Sequence, residues 1–446
     1  MADRLVVIGG DAAGMSAAMQ ARRRQPYLEI VALERGSWTS YAACGIPYLV
    51  AGDVQALEDL VARSPQELRE KARIDVRMRH EAMAIDHSRR QIEVRDHQHG
   101  RTIQLGYDSL MVATGARPTR PPLPGIDLDH VKGVQTLDDA KVLLDHARSQ
   151  QCRNVVVVGG GYIGLEMAEA FKRWGAEVSV VEGEDQLMRT LDADMAQRLL
   201  EPMAKMGIDV RLGSPVEGFE PGQVLLRDGE RLPADLVLLG LGVTPNAELA
   251  AEAGVATGVR GALSVDRRQR TNLDGVYAAG DCCESWHLVS SRPIHVALGT
   301  VANKQGRVAG INLGGGYATF PGVVGTAITK VCTLEVARTG LTEVEADVAA
   351  IDAVTASIDT TTRASYMHDA EPMTVKLVAE RGTGRLLGGQ IVGGLTAAKR
   401  IDTIATALHA RLRVDEVIDL DLAYAPPFSS VWDPVAVAAR VLADQV

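Results

Sequence analysis

The chain has 446 residues, 46% of them hydrophobic and 23% charged, which is ordinary for a globular protein but too long for a single core. Its net charge of −10 argues against a nucleic-acid partner, and no apolar run reaches the roughly 18 residues that a membrane span requires. The five cysteines lack the regular spacing of a disulfide scaffold, and no signal peptide precedes the strand at Leu5. These features predict a cytoplasmic protein of two or three domains with no membrane partner.

The first predicted unit is a strand, a glycine turn and a helix. A β-branched run over Leu5–Ile8 leads into Gly9 and Gly14, and an alanine-rich helical pattern follows. Asp11 occupies the middle glycine position of a Gly-x-Gly-x-x-Gly turn, so the motif alone is a weak match. The next apolar strand ends in Glu34, at the distance of a ribose-binding acid, which favours a βαβ nucleotide-binding unit.

Soon after this unit, Cys44 stands without a second cysteine nearby. A Cys-x4-Cys dithiol would place its partner thiol at position 49, which is Leu49. A paired dithiol stores two electrons as an internal disulfide, whereas a lone redox cysteine forms a mixed disulfide with a substrate thiol or cycles through a sulfenic acid. A predicted helix over Ile46–Ala51 follows, and its N-terminal N–H groups are expected to favour the thiolate.

Two distant segments add to the first unit. The strand Ser109–Val112 is followed by Ala113-Thr114-Gly115. A later strand is followed by Gly280-Asp281, which places a carboxylate where it can bind a ribityl hydroxyl. Each part alone can be structural, but the three parts in this order predict FAD binding.

A second strand–turn–helix unit is complete. Val155–Val158 leads into Gly159-x-Gly161-x-x-Gly164, in which the glycines permit a tight turn, a close approach to a pyrophosphate and close helix packing. The next strand ends in Glu182, and Gly183-Glu184-Asp185 follows. A 2′-phosphate would meet three carboxylates there and no nearby Arg or Lys, so NADH is predicted over NADPH. The alternative is that these acids form only a solvated loop.

The linkers divide the chain. A proline-rich stretch at 116–125 leaves the first unit, 242–246 returns to it, and strand patterns with a helix near 398–411 follow position 322. The predicted fold class is α/β, with two Rossmann-like dinucleotide-binding domains and a C-terminal α+β domain. The predicted boundaries are 1–115 with 246–320 for FAD, 116–245 for NAD(H), and 321–446 for dimerisation.

The whole chain resembles the FAD-dependent pyridine nucleotide-disulfide oxidoreductases. The run Ser40-Tyr41-Ala42-Ala43-Cys44-Gly45 is similar to their single-cysteine branch, which holds coenzyme A-disulfide reductases, NADH oxidases and peroxidases, and persulfide reductases. The run from Ala423 to Ser430 resembles the coenzyme A-disulfide reductases, in which a tyrosine reaches across a homodimer. The resemblance implies that Tyr424 has that role and that Tyr366 matches a second family tyrosine.

The resemblance also implies binding positions. Those implied for FAD are Gly9, Gly10, Asp11, Ala12, Gly14, Glu34, Arg35, Ala82, Ala113, Thr114, Gly115, Asp281, Leu298, Gly299 and Tyr424. Those implied for NADH are Gly159, Gly161, Tyr162, Ile163, Gly164, Glu166, Glu182 and Gly242. Those implied for the substrate, with coenzyme A suspected, are Ser16, Gln20, Arg23, Ser40, Lys71 and Asn303; no metal site is expected.

Three departures from the family leave the thiol partner open. Ala43 replaces an amide side chain, Asn303 stands where a His can serve, and Trp432 replaces a coenzyme A-binding Lys. Arg22-Arg23-Arg24 is interpreted either as a clamp for a diphosphate or as a solvated helix face.

The resulting hypothesis is that NADH reduces FAD and that Cys44 attacks a low-molecular-weight disulfide or persulfide to form a mixed disulfide. Tyr424 and Tyr366 supply hydroxyls for the leaving thiolate. An NADH oxidase is the alternative, although the turn residues Asp11-Ala12-Ala13 lack the histidine of the peroxidase relatives. A flavin electron carrier or redox sensor is the second alternative, against which Cys44 argues. Cys282-Cys283 is interpreted as packing rather than as a redox pair.

Overall fold

A five-stranded parallel sheet carries the first glycine turn, and a three-stranded antiparallel sheet accompanies it. The computed structural model of the protein describes residues 3–149 and 152–446. The elements of this region are β1 (Arg4–Ile8), α1 (Ala12–Arg24), β2 (Glu29–Glu34), α2 (Ile46–Val50), α3 (Pro65–Ala72), β3 (Asp75–Met78), β4 (His80–Asp86), β5 (Gln91–Asp96), β6 (Arg101–Gly106) and β7 (Ser109–Val112).

A second five-stranded parallel sheet carries the second glycine turn. Its region contains β8 (Ala116–Pro118), β9 (Val131–Gly133), α4 (Leu137–Ser149), β10 (Asn154–Val158), α5 (Tyr162–Trp174), β11 (Glu177–Val181), α6 (Ala193–Ala196), α7 (Leu200–Lys205), β12 (Ile208–Arg211), β13 (Val216–Glu220), β14 (Gln223–Leu226), β15 (Arg231–Pro233), β16 (Leu236–Leu239) and β17 (Val243–Pro245). The sheet order is β12-β11-β10-β16-β9, and β8 pairs with β17 where the chain leaves and re-enters the first region.

The chain then returns to the first sheet, whose order is completed as β18-β7-β1-β2-β3. In both parallel sheets the glycine turn therefore follows an internal strand at its carboxyl end, where open α/β sheets bind ligands. The returning elements are α8 (Glu248–Glu252), β18 (Val276–Ala278), β19 (Glu284–His287), β20 (Arg292–His295) and α9 (Gly299–Leu313).

Helix α9 packs unusually close to α1. A Cβ built at Gly306 would lie 2.2 Å from the carbonyl oxygen of Ala13, and one at Gly310 would lie 2.2 Å from that of Ala17. Only glycine permits this approach, since any side chain would displace one of the two helices. The crossing fixes which faces of α1 and α9 meet the ligand side of the sheet.

The C-terminal region is an antiparallel sheet of order β21-β22-β25-β24-β23 covered by helices. The helix expected near 398–411 is divided into a 3₁₀ turn at Ala398–Arg400 and a following α-helix. The elements are β21 (Ala327–Val331), β22 (Leu334–Gly340), α10 (Glu343–Val348), β23 (Ala353–Thr361), β24 (Pro372–Glu380), β25 (Leu386–Gly393), α11 (Ile401–Ala410), α12 (Val414–Ile418) and α13 (Pro434–Ala443).

Ion pairs join the three regions. The guanidinium of Arg173 on α5 donates two bonds of 2.6 Å to the carboxylate of Asp53. Lys376 on β24 is buried, and its ammonium lies 3.1 Å from a carboxylate oxygen of Asp192 and 2.8 Å from one of Asp194. No helix in the described part of the chain combines the length and apolar character needed to cross a bilayer.

Candidate functional site

Both glycine turns open onto one cavity of about 2560 Å³. This exceeds the roughly 300–1,000 Å³ of an ordinary ligand pocket, so the cavity has room for more than one ligand. The predicted residues that line it are Cys44, Gly9, Gly10, Asp11, Ala12, Glu34, Arg35, Ala82, Ala113, Thr114, Gly115, Asp281, Leu298, Gly299, Gly161, Tyr162, Ile163, Glu166, Gly242, Ser16, Gln20, Arg23, Ser40 and Asn303. The predicted residues outside its lining are Gly14, Gly159, Gly164, Glu182, Lys71, Tyr366 and Tyr424.

The glycines outside the lining have a packing role. A Cβ at Gly14 would lie 1.9 Å from the carbonyl oxygen of Gly9, and one at Gly164 would lie 2.0 Å from that of Gly159. Gly9 and Gly159 have φ values of +108° and +106°, in the region that favours glycine. The two turns therefore share one geometry, which places the N-termini of α1 and α5 at the cavity.

Each turn is held by the acid at the end of the neighbouring strand. The carboxylate of Glu34 accepts the N–H of Gly10 at 2.8 Å and that of Gly36 at 2.7 Å. The carboxylate of Glu182 accepts the N–H of Gly160 at 2.8 Å. Burial is the main cause that raises the pKa of Glu34, partly offset by these N–H groups. The acids predicted to bind ribose thus also fix the turns.

Asp11 and Gly161 occupy equivalent positions but differ in their surroundings. A Cβ at Gly161 would meet only the carbonyl oxygen of Gly240, at 3.8 Å, so the second turn is open to a close ligand. The Asp11 side chain turns toward the Cys44 segment, where it accepts the N–H of Tyr41 at 3.0 Å. Burial raises the pKa of Asp11 to about 6, and burial alone raises that of Asp281 to about 6.

Cys44 lies in a 3₁₀ turn at Ala43–Gly45 and is exposed at the cavity wall. Desolvation and the carboxylates of Glu166 and Asp281 raise the pKa of its thiol. The backbone N–H of Cys44 lowers this pKa, but the desolvation and the acids outweigh it, so the net shift is opposite to the expected stabilisation of the thiolate. Helix α2 has only five residues, too short to offset the acids and the desolvation. Leu49 is buried in that helix, so the position of a partner thiol holds core packing.

Glu166 on α5 faces the same part of the cavity as Cys44. Its carboxylate accepts the Thr329 hydroxyl from β21 at 2.5 Å. Burial raises the pKa of Glu166, partly offset by that hydrogen bond. On the same helix the hydroxyl of Tyr162 is buried, and burial raises its pKa.

The predicted substrate residues fall into two sets. The Ser16 hydroxyl on α1 donates to the Asn303 side chain on α9 at 2.7 Å, so these residues form one polar pair at the cavity. Lys71 is apart from them, because its ammonium pairs with the carboxylate of Glu67 at 2.8 Å on the exposed face of α3. Of the three arginines in the proposed clamp, only Arg23 lines the cavity. The guanidinium of Arg22 instead donates to backbone carbonyl oxygens, which include those of Ala72 and Pro26.

Sequence reasoning missed further cations on the cavity wall. Lys304 and Arg307 on α9 and Arg63 before α3 line it and are exposed. No carboxylate lies within 4 Å of these three cations or of Arg23 among the described residues. The spacing of Asn303, Lys304 and Arg307 was an available signal, since residues three or four positions apart share one face of a helix such as α9.

Tyr366 and Tyr424 lie together on the surface of the C-terminal region, away from the cavity of their own chain. Desolvation and a hydrogen bond that Tyr366 donates to Tyr424 raise the pKa of Tyr366. Phe428 and Val431, which are also exposed, extend this apolar surface. Trp432 lies nearby in sequence, and the guanidinium of Arg440 sits 4.9 Å from the centre of its ring.

The acid loop after β11 contains a cation that the sequence prediction excluded. The guanidinium of Arg189 lies 3.0 Å from a carboxylate oxygen of Glu184. The expectation that no Arg or Lys stands near this loop is therefore wrong. The chain folds back after Asp185, so that a residue four positions downstream reaches Glu184.

The residues at the two turns fit dinucleotides. Gly161 leaves space for a phosphate, the N-termini of α1 and α5 face the cavity with unpaired N–H groups, and two acids stand where riboses bind. Asp281 is partly buried, and desolvation is the only cause of its raised pKa, which suits a carboxylate that binds a polar ligand group.

Comparison with known proteins agrees with this geometry. The family described as "Pyridine nucleotide-disulphide oxidoreductase" matches residues 3–306, and its dimerisation domain matches residues 326–436. A "NAD(P)H coenzyme A polysulfide/persulfide reductase" of Pyrococcus horikoshii is 39% identical over 449 aligned residues, covering 99% of each chain. A "NADH oxidase" of Methanocaldococcus jannaschii is 34% identical, covering 98% of each chain.

A solved structure titled "Structure of a NAD-Dependent Persulfide Reductase from A. fulgidus" superposes with a TM-score of 0.96 at 38% identity. The match covers 99% of this chain and 83% of that chain. The predicted fold class, with two dinucleotide-binding folds and a C-terminal dimerisation fold, is confirmed. The chain therefore belongs to the pyridine nucleotide-disulphide oxidoreductases, a family of enzymes that work with FAD and NAD(P)H.

Proposed function

We propose that the protein is an NADH-dependent reductase of a low-molecular-weight disulfide or persulfide, with coenzyme A disulfide as the first candidate. One observation carries the proposal. Cys44 is the one cysteine among the described residues that line the cavity shared by both glycine turns, and Leu49 is buried at the position of a partner thiol. A single thiol beside a flavin site is suited to a mixed disulfide rather than to an internal one.

The two cofactors are assigned to the two turns. FAD is placed against the turn at Gly9, the acid Glu34 and the carboxylate of Asp281, within residues 1–115 and 246–320. NADH is placed at Gly161 and Glu166, within residues 116–245. When bound, these cofactors supply a hydride and then an electron pair to sulfur.

The protein's part in the chemistry is the capture of one half of the substrate. The Cys44 thiolate attacks one sulfur of the disulfide, so a bond forms between Cys44 and that sulfur and the other half leaves as a thiolate. An electron pair then cleaves the mixed disulfide, and the second half leaves after taking up a proton. Since desolvation, together with Glu166 and Asp281, raises the pKa of Cys44, the rate of capture is expected to rise with pH.

Cations around the polar pair Ser16–Asn303 support an anionic thiol. Arg23, Lys304 and Arg307 line the cavity near α1 and α9 and have no carboxylate partner within 4 Å among the described residues. Coenzyme A carries a diphosphate and a further phosphate, which such side chains bind well. These cations are available to compensate for the lysine lost at Trp432.

A homodimer is proposed from the matched dimerisation domain and from the exposed apolar surface around Tyr424 and Phe428. In this arrangement residues 321–446 form the subunit contact. Tyr366 and Tyr424 then serve the cavity of the partner subunit, because they lie outside the cavity of their own chain.

The direct test is oxygen-free NADH consumption with coenzyme A disulfide as the acceptor. Turnover is expected with the wild type and with Cys152→Ser, which changes a cysteine outside the cavity, and is expected to be lost in Cys44→Ser. A Cys44→Ser variant that keeps full turnover would refute the mixed-disulfide route.

NADH oxidase is the second candidate, because the relative from Methanocaldococcus jannaschii carries that name. Against it stands the first glycine turn, Asp11-Ala12-Ala13, which lacks the histidine of the peroxidase relatives. If oxygen alone sustains NADH consumption at a rate that added coenzyme A disulfide does not increase, the oxidase assignment replaces the reductase one.

A further inference from the structure

The C-terminal region contacts the proposed NADH site at Glu166 through one side chain. Thr329 on β21 is buried, and its hydroxyl donates to the Glu166 carboxylate at 2.5 Å. The two residues are 163 positions apart: Glu166 lies on helix α5 of the second region, and Thr329 lies on strand β21 of the C-terminal sheet. We propose that Thr329 is a positioning residue that holds Glu166 as an ionised, oriented acceptor on the cavity wall.

Strand β21 contacts helix α5 at a second acid as well as at Glu166. Beside the Thr329 bond, a second contact joins the same two elements: Glu169, one turn along α5, accepts the ammonium of Lys330 at 2.8 Å and the backbone N–H of Cys332 at 2.7 Å. Strand β21 thus contacts α5 through two acids, Glu166 and Glu169, which lie three residues apart. The Glu169 contact fixes the helix, whereas the Thr329 contact acts on the acid that faces the cavity.

The titratable groups around Glu166 determine how strongly the Thr329 hydrogen bond affects its ionisation. Four titratable groups interact electrostatically with Glu166. They are Cys44 in the segment before α2, Tyr48 on α2, and Glu169 and Tyr162 on its own helix. None of these is a cation, and Lys330 is paired with Glu169. The Thr329 hydroxyl is therefore the one described group that favours the ionised form of Glu166 against burial.

The consequence is a pH dependence in electron input. An ionised carboxyl offers acceptors on both oxygens to the carboxamide of a nicotinamide, whereas a protonated one loses part of that capacity. Removal of the Thr329 hydroxyl should raise the pKa of Glu166 further and should move the acid limb of NADH binding to higher pH. The inference rests on the proposed function only in placing NADH at α5, and it makes no use of the thiol acceptor.

The experiment compares Thr329→Val with wild-type holoenzyme by calorimetric titration with NAD⁺ between pH 5 and 9, and by the anaerobic rate at which NADH bleaches the flavin. We expect a roughly tenfold loss in both quantities for Thr329→Val on the acid side, as one charge-assisted hydrogen bond is worth, and little loss at pH 9. Thr329→Ser keeps the hydroxyl and should restore the wild-type profile. Lys330→Met weakens the same inter-region contact at Glu169, and the loss of its charge should displace the acid limb much less than Thr329→Val does, because Glu169 influences the pKa of Glu166 less than burial and the Thr329 hydroxyl do.

An unchanged acid limb in Thr329→Val, or an equal displacement in Lys330→Met, would show that Thr329 is only part of the interface packing. If Thr329→Val does not fold, Glu166→Gln replaces it: a neutral side chain should abolish the acid limb, and its persistence would overturn the inference. Failure of the proposed function is separable, because a wrong acceptor would abolish turnover with coenzyme A disulfide and would leave the bleaching of the flavin by NADH, and its pH profile, unchanged.

Discussion

The carboxylate of Asp11 accepts the backbone N–H of Tyr41 at 3.0 Å, and this bond joins the first glycine turn to the segment that carries Cys44. Two more bonds follow the same path: the N–H of Ser40 donates to the carbonyl oxygen of Gly10 at 3.0 Å, and the Thr39 hydroxyl donates to the same oxygen. A residue that departs from the glycine motif therefore connects the first glycine turn to the segment of Cys44.

Removal of the Asp11 side chain should slow capture of the disulfide by Cys44. We expect Asp11→Ala to lower kcat/KM for the disulfide by about tenfold, since the loss of a hydrogen bond to a charged group frees the loop three residues before Cys44. The bleaching of the flavin by NADH should change much less. Asp138→Ala is the matched control, because Asp138 accepts the N–H of Ser37 at 2.8 Å in the same segment. Equal losses in both variants would assign the effect to general loosening of the segment.

Asp11 should also affect stability in a pH-dependent way. Its pKa is raised from 3.8 to about 6, so the native state binds this proton more tightly than the unfolded state does. The resulting contribution to stability is complete below pH 3.8 and is lost as the pH rises through 6. Asp11→Asn cannot ionise and should raise the melting temperature of the holoenzyme relative to wild type at pH 8 more than at pH 5. A constant difference across this range would contradict the shifted titration.

The pairing of Arg189 with Glu184 gives a prediction for the nucleotide preference. Wild-type kcat/KM should favour NADH, because Glu182 and Glu184 disfavour a 2′-phosphate. Glu184→Ala removes the carboxylate that lies 3.0 Å from Arg189 and frees that guanidinium for a phosphate. We expect kcat/KM for NADPH to rise about tenfold with little change for NADH. Asp185→Ala removes the same charge from the same loop without freeing an arginine, so a similar gain there would refute the role of Arg189.

The sequence was informative wherever a motif is local. The turn at Gly159, the strand ends at Glu34 and Glu182, and the lone Cys44 were all readable, because a few consecutive residues determine each. The strand limits agree with the structure within about two residues, since apolar β-branched runs mark them.

What the sequence could not supply were contacts between distant segments. The Thr329–Glu166 bond spans 163 residues and depends on how helix α5 packs against the C-terminal sheet, for which one sequence has no signal. The position of Arg189 depends on the course of a loop. The raised pKa of Cys44 depends on desolvation and on acids from α5 and from the turn at Asp281, none of which is visible in the short helical pattern that suggested a lowered pKa.

Lys376 should be the most sensitive charged position for stability. It is 4% exposed and lies within 3.2 Å of carboxylate oxygens of Asp192, Asp194 and Glu343. Lys376→Met would leave these acids without their cation, and we expect the free energy of unfolding to fall by about 3 kcal/mol. The urea midpoint of the holoenzyme measures this. Lys141→Met, which breaks the exposed pair with Asp145, should cost less than about 1 kcal/mol, and equal losses would contradict the argument from burial.

The position of Tyr424 outside its own cavity predicts complementation between subunits. Tyr424→Phe should slow release of the first thiol much more than flavin reduction by NADH, since a phenol hydroxyl is the proposed partner of the leaving thiolate. In a mixed dimer of Cys44→Ser and Tyr424→Phe subunits, the intact Cys44 of one subunit faces the intact Tyr424 of its partner. The mixed dimer, isolated through two different affinity tags, should therefore have about half of the wild-type turnover, although each variant alone has low activity.

The reciprocal dimer reverses this expectation and serves as the control. One subunit is wild type and the other carries both Cys44→Ser and Tyr424→Phe, so the single intact Cys44 faces a phenylalanine from the partner. If the tyrosine acts across the interface, this dimer turns over slowly, although it contains one wild-type chain. If Tyr424 instead serves its own subunit, each site is complete or defective within a single chain. The reciprocal dimer would then have half of the wild-type activity, and the first mixed dimer would have none.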